Sequence, residues 1–379
     1  MVKIYFVLIM LLICANGSAQ AGDKMDIENY NPTSTLVVCE HLTPKAKYPF
    51  IDVHNHQWEM PSQDLALLLR QMDTLNMVAM VNLSGRGYKL VPNYHGKTLF
   101  SVQGPGYLQQ SLDNTKANGH GRVVLFTNID FIGIDSAGWT RAAVAQLESD
   151  VKAGANGLKV YKELGLEIKD SKGNRIRVDD PRLDPIWDKC AELKIPVLIH
   201  TGEPIAFFDK EDSTNERWLE LKLHPTRARN TEGYPTWQQV MGEQHNMFRR
   251  HPRTTFIMAH FGWLGNNLAA LGYLLDSLPN VYTEFAAIME EIGRQPKNAR
   301  KFFIKYQDRI LFGKDTWDVK EYGFYFRMLE TGDEYFEPLR KYHAFWHMYG
   351  LELPDDVLKK IYYKNALKII PGIDRSMFP

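Results

Sequence analysis

A chain of 379 residues with 44% hydrophobic and 24% charged residues has an ordinary soluble composition and is long enough for one elaborated barrel domain. Lys+Arg and Asp+Glu both number 45, so the formal net charge is zero. That balance argues against nucleic acid or an anionic membrane as a bulk electrostatic partner and leaves a small-molecule substrate as the expectation.

The chain opens Met1-Val2-Lys3, runs apolar from Ile4 to Ala15, and continues to Ser18-Ala19-Gln20-Ala21. One positive charge, a short apolar stretch and an Ala-x-Ala end read as a secretory signal peptide over 1–21, with cleavage after Ala21 and a periplasmic or secreted destination. The run is too short to remain as a membrane span. A lipid anchor at Cys14 is not expected, because Ile13 stands where a lipid-anchor motif wants a small residue. Cys39 and Cys190 then remain, too few for a disulfide framework, and Cys190 falls in the apolar stripe of a helix as a core thiol.

Residues 22–48 are polar, with Pro32, Thr33, Ser34 and Pro44, and read as a mostly irregular lead-in. From 49 to 379 short apolar runs alternate with helical patterns. Eight strands are predicted, at 49–56, 77–83, 122–129, 157–161, 196–200, 255–260, 281–285 and 310–312. Helices are predicted at 63–75, 139–153 and 185–193. Alternation of this kind implies parallel βαβ units, and eight of them imply an α/β fold, a (β/α)8 TIM barrel. The long connections 84–121 and 201–253 follow the second and fifth strands, so they fall at the C-terminal face, where barrels build their sites. From about residue 318 the chain reads as helical. Oligomeric state is left open.

The first strand ends Asp52-Val53-His54-Asn55-His56. Residues two apart on a strand share a face, so His54 and His56 both point into the barrel mouth. Three later strands also stop at metal-ligand residue types: the fifth at His200, the sixth at His260, and the eighth just before Asp315. Three imidazoles and a carboxylate suit a divalent ion, Zn2+ first, with Fe2+, Mn2+ or Co2+ as alternatives. An ion with an open coordination position would activate water, with Asp315 placed to accept its proton.

These motifs resemble the metal-dependent amidohydrolase superfamily, most closely its amidohydrolase-related branch of hydrolases, lactonases and decarboxylases. The resemblance rests on Asp52-Val53-His54-Asn55-His56, Ile199-His200-Thr201-Gly202-Glu203-Pro204, Ala259-His260-Phe261-Gly262 and Phe312-Gly313-Lys314-Asp315. It implies that His54, His56 and His200 bind metal, that His260 is a ligand or a catalytic acid/base, and that Asp315 binds metal and moves protons. Lys314 departs from the family's usual small residue and is expected to point away from the ligands.

Lys159 in Gly157-Leu158-Lys159-Val160-Tyr161 has two readings. It is a metal ligand only if carbamylated, as in some superfamily members, which would allow one ion or two. As a free amine it would bind substrate or pair with a carboxylate. Lys162 is expected to be solvated. Arg86, Trp58 and Arg227 lie near the mouth by topology and are the candidate substrate-binding residues. Tyr88, Trp218, His224, Arg229, Tyr234, Trp237 and His245 share those loops, and Glu203 either orients His200, caps a helix or makes a surface salt bridge. The expected function is metal-dependent hydrolysis of an amide, cyclic amide, lactone or other ester. A metal-dependent non-oxidative decarboxylase and a non-catalytic ligand-binding barrel are the rivals.

Overall fold

The computed structural model describes residues 25–379. The signal segment expected over 1–21, with Cys14, lies outside the described residues. Residues 25–37 belong to a unit of their own, whose one regular element is the turn of 3-10 helix Ile27–Asn29. The main unit runs from Val38 to Pro379. It begins before residue 49 because the irregular lead-in is tied down by polar bonds. His41 N donates to Asp333 Oδ2 at 2.8 Å, Thr43 Oγ1 to Gly323 O at 3.1 Å, and Ala46 N to Leu75 O at 3.1 Å.

All eight expected strands are present: β1 (Phe50–Asn55), β2 (Met77–Asn82), β3 (Val123–Leu125, continued by Thr127–Asn128), β4 (Leu158–Val160), β5 (Val197–Ile199), β6 (Phe256–Met258), β7 (Val281–Glu284) and β8 (Ile310–Leu311). Each pairs in parallel with the next. Val53 N donates to Phe312 O at 2.9 Å, and Asn55 bridges Asp315, which joins the last strand to the first. The fold is a TIM barrel. Its strands are buried along their whole length apart from Val78, as parallel strands sheathed by helices must be, and this is why they read as short, mostly apolar runs.

The helix Leu65–Leu75 buries Leu65, Leu68, Leu69, Met72 and Leu75 against the barrel. Asp64 caps it by accepting from Leu67 N, and Asn76 ends it in the left-handed region at φ +68°. Trp139–Ala153 and Asp184–Leu193 are helical as predicted, and Cys190 is fully buried in the latter. The long connections carry more structure than expected. Residues 84–121 hold an antiparallel hairpin, Lys89–Tyr94 with Lys97–Ser101, and the helix Pro105–Asn118. The hairpin is mostly exposed, so no apolar alternation marks it. Residues 201–253 hold the helices Trp218–Leu223 and Trp237–Arg250, the second started by a Thr236/Gln239 capping box. The C-terminal part is helical at Tyr322–Glu330 and from Asp355 to Ile369, but 331–354 between them is irregular. No described helix is long and apolar enough to cross a membrane.

Candidate functional site

Asp52 organises the end of β1. Its buried carboxylate accepts from His54 N at 3.0 Å, Asn55 Nδ2 at 2.8 Å, Lys314 N at 3.2 Å and Tyr322 Oη at 2.6 Å. These bonds hold β1 and the segment after β8 in one frame. Within it, His54 Nε2 and His56 Nε2 stand 3.6 and 3.5 Å from the same oxygen, Asp315 Oδ1. Two ligands about 2.1 Å from a tetrahedral ion are separated by about 3.4 Å, so the spacing fits a shared metal.

The far nitrogen of each ring is already engaged. His54 Nδ1 donates to Glu284 Oε1 at 2.8 Å, and His56 Nδ1 lies 2.6 Å from Ser84 Oγ. His260 Nδ1 donates to Ala286 O at 2.7 Å. With Nδ1 of His54 and His260 committed in this way, the Nε2 atoms of both rings carry their lone pairs toward the site, where Lys159 Nζ and His200 Nδ1 each lie 3.4 Å from one of them. Burial, reinforced for His54 by Lys159, keeps His54 and His56 well below the ordinary imidazole range, so they are neutral and able to ligate. For Asp315, burial pushes the carboxyl up, but the charge that His54, His56, His260 and Lys159 can carry favours the carboxylate and brings the group below its ordinary range.

Two groups of side chains among the described residues are compact enough to hold an ion: His54, His56 and Asp315, and His54, His260 and Glu284. The second is a hydrogen-bonded support. Glu284 Oε1 takes His54 Nδ1 and His260 N, and Oε2 takes Ala286 N at 2.6 Å, so both oxygens are engaged. His200 belongs to neither group. Its Nδ1 lies 3.4 Å from His260 Nε2, which makes it the next member outward. His260 and Asp315 both adopt positive φ, +56° and +86°, a conformation non-glycine residues rarely hold and one concentrated at functional sites.

Lys159 is buried with Nζ 3.4 Å from His54 Nε2, and its ring neighbour Tyr161 is 5.5 Å away. Burial brings its ammonium down to about 8 against the opposing pull of Asp315 and Glu284. Trp58 also reaches the site. It stacks on His56 with centroids 4.7 Å apart and planes within 3°, and Tyr161, Phe100 and Tyr88 pack around it.

Other expected residues fall elsewhere. Arg86 is buried against Asp150 at 3.0 Å, in a pair that also takes Thr127, so its guanidinium is structural. Arg227 is paired with Glu220. Lys162 is not simply solvated: it pairs with Glu203 at 2.5 Å. Glu203 is 3.9 Å from His200 Nε2, beyond hydrogen-bond range, and serves Lys162 and Arg229 instead. Lys314 turns away from the trio onto Glu321 and the Thr316 carbonyl, as expected. Glu284 was missed by the sequence reading, although it ends β7 as the other site residues end their strands.

The chain matches the family model described as Amidohydrolase over residues 104–371. It belongs to the amidohydrolase family. The matched span of this amidohydrolase-family chain includes Lys159, His200, His260, Glu284 and Asp315, while His54 and His56 precede it. Among solved structures it is similar to 2,6-dihydroxybenzoate decarboxylase from Rhizobium, at 15% identity and TM-score 0.52, covering 85% of this chain and 98% of that one. It is similar to an uncharacterised TIM-barrel protein from Bordetella bronchiseptica, at 15% identity and TM-score 0.50, covering 84% and 97%. A dihydroxybenzoic acid decarboxylase from Polaromonas, solved with manganese and 2-nitroresorcinol, is similar at 12% identity and TM-score 0.50, covering 85% and 96%. At such identities the likeness establishes the fold. No curated protein matches the sequence.

Proposed function

We propose that this amidohydrolase-family enzyme is a metal-dependent hydrolase acting at an acyl carbon of a small molecule: an amide, cyclic amide, lactone or other ester. The observation that carries the reading is Asp315 Oδ1 at 3.5 and 3.6 Å from two imidazole nitrogens, on a side chain 29% exposed while His54 beside it is 1% exposed. Asp315 is thus the most exposed member of the trio, His56 being 10% exposed. His54, His56 and Asp315 would hold a divalent ion, with His200 as the further ligand. Zn2+ suits that donor set, and Mn2+ is the ion in the Polaromonas relative. When bound, such an ion supplies Lewis-acid polarisation of an oxygen.

The remaining steps belong to the chain's own groups. Asp315 accepts a proton from water and passes it to the leaving group. His260, whose Nδ1 is committed to Ala286 O, offers Nε2 as a second proton carrier. Lys159 as an ammonium holds a negative oxygen of the substrate, and as a carbamate it would add a ligand and admit a second ion. Trp58, His56 and Tyr161 present flat faces that suit a planar substrate.

Those flat faces also favour one second reading, non-oxidative decarboxylation of a planar carboxylic acid, which is the activity named for the Rhizobium and Polaromonas relatives. Replacing His54 and His56 with Ala should abolish metal content measured by plasma mass spectrometry, with circular dichroism unchanged. Metal content equal to wild type overturns the site. Metal-loaded protein assayed on lactones, amides, esters and aromatic acids should hydrolyse one of the first three. Release of CO2 without hydrolysis replaces the hydrolase by the decarboxylase. Export through the segment 1–21 is proposed with it, and the mature N-terminus found by mass spectrometry tests that.

A further inference from the structure

Beside His200 the mouth holds a second set of charges that the proposed reaction leaves unused. Lys162 Nζ donates to Glu203 Oε1 at 2.5 Å, and Arg229 Nη2 reaches the same oxygen at 3.4 Å. The other oxygen of Glu203 is 3.9 Å from His200 Nε2, a buried atom with no hydrogen-bond partner. Trp237 Nε1 fixes Glu203 from behind by donating to its carbonyl at 3.1 Å.

Arg229, which lies over the Tyr234 ring at 5.1 Å, is incompletely satisfied by this arrangement. The Arg229 side chain is 9% exposed. Its Nη1 donates to the Thr226 and Ala228 carbonyls at 2.8 and 2.9 Å, but its Nε–H is buried without an acceptor. A buried donor left unpaired is costly, more so on a charged group. Elsewhere the chain treats a largely buried arginine differently: Arg175 forms a two-point pair with Glu243 at 2.9 and 2.6 Å. Lys162 is 34% exposed, so solvent or a ligand can reach it. Glu163 also acts on Lys162 electrostatically but makes no ion pair with it among the described residues. In direct contact, two cations share one carboxylate.

We propose that Lys162 and Arg229 form an anion subsite beside His200 that binds a carboxylate of the substrate other than the group that reacts. The inference rests on reading the His54, His56 and Asp315 trio as the catalytic centre, and it narrows the substrate class to an anionic one. Tyr161 of the stacked wall precedes Lys162 directly, so the flat surface and the cation leave β4 together. A planar ring carrying a second carboxylate meets both. Glu203 acts as a placeholder that holds the two cations in position and competes for them with the substrate.

Calorimetric titration of the full chain with benzene-1,3-dicarboxylate, benzoate and benzamide tests this, with and without added Zn2+. The dicarboxylate should bind most tightly, and K162M and R229M should each weaken it about ten-fold, as loss of a charged hydrogen bond does. K162R, which keeps the charge, should restore binding. E203Q, which frees both cations, should tighten it, whereas a merely structural Glu203 would leave it unchanged or weaker. Thermal melts exclude variants that fail to fold. Equal affinity across wild type, K162M and R229M overturns the subsite, as does absence of dicarboxylate binding at millimolar concentration. If Zn2+ has no effect while K162M and R229M still weaken binding, the metal reading fails and the subsite stands.

Discussion

Glu284 Oε1 receives the Nδ1–H of His54 at 2.8 Å and the backbone N–H of His260 at 2.9 Å. One carboxylate at the end of β7 therefore sets the tautomer of a β1 histidine and the turn that follows β6. Glu284→Gln offers an amide that can donate or accept, so the Nε2 lone pair of His54 is no longer guaranteed. Metal affinity should fall about 10–100-fold, as it does when such supporting carboxylates are altered. Chelator competition measures it, and an unchanged affinity would mean that packing alone orients His54.

Gly313 explains the glycine in Phe312-Gly313-Lys314-Asp315. A Cβ there would stand 2.5 Å from Glu284 Oε2 and 2.9 Å from His54 Cβ. Gly313→Ala must push these two side chains apart. The variant should lose about 1–3 kcal/mol of stability, as overpacked cores do, and bind metal more weakly than wild type. Urea denaturation and metal titration read the two effects. A stable variant with normal affinity would show that β7 can retreat.

Trp58 stacks on His56 at 4.7 Å and is partly open to solvent. Trp58→Leu keeps an apolar side chain but loses the flat face. Stacking of aromatic pairs contributes about 0.5–1.5 kcal/mol beyond area, so planar-ring ligands should bind roughly two- to ten-fold more weakly. Aliphatic ligands of the same charge should be unaffected. Equal losses for both kinds would assign Trp58 to packing.

His245 lies in the helix Trp237–Arg250 with a buried Nε2 that has no hydrogen-bond partner. Burial, with Arg249 adding to it, lowers its pKa from 6.5 to about 4. Between those values the unfolded chain binds a proton that the folded chain refuses. The neutral ring's contribution is complete above pH 6.5 and is lost as pH falls toward about 4, on the order of 3 kcal/mol in all. His245→Leu should therefore flatten the fall in melting temperature between pH 6.5 and 4.5. Parallel slopes for variant and wild type would locate the acid sensitivity in other groups.

The barrel was legible because its parallel strands are buried on both faces and read as short apolar runs. The site was legible where such a run stops at a ligand type, as at His200 after Val197–Ile199. Glu284 obeys the same rule after Val281-Tyr282-Thr283, but a carboxylate in a strand carries no spacing signal like His-x-His. The arginines were not separable. Arg227 ends the 3-10 turn Pro225–Arg227 and Arg229 follows two residues later, and only the fold sends one to Glu220 and the other to Glu203. Arg86 follows β2 at the mouth, yet turns back to Asp150 on a neighbouring helix. The Lys89–Ser101 hairpin buries only Leu99 and Ser101 and so left no extended apolar alternation to read.

Asp315 N donates to His54 O at 2.6 Å, across the seam where β8 meets β1. The proposed ligands thus come from near opposite ends of the domain, and the pocket they form is complete only when the ring shuts. A chain cut anywhere before residue 315 lacks the carboxylate that completes the trio, however well its earlier strands assemble. Metal uptake through the proposed trio would therefore require the closed ring, so an ion held by all three residues would report that β8 has met β1.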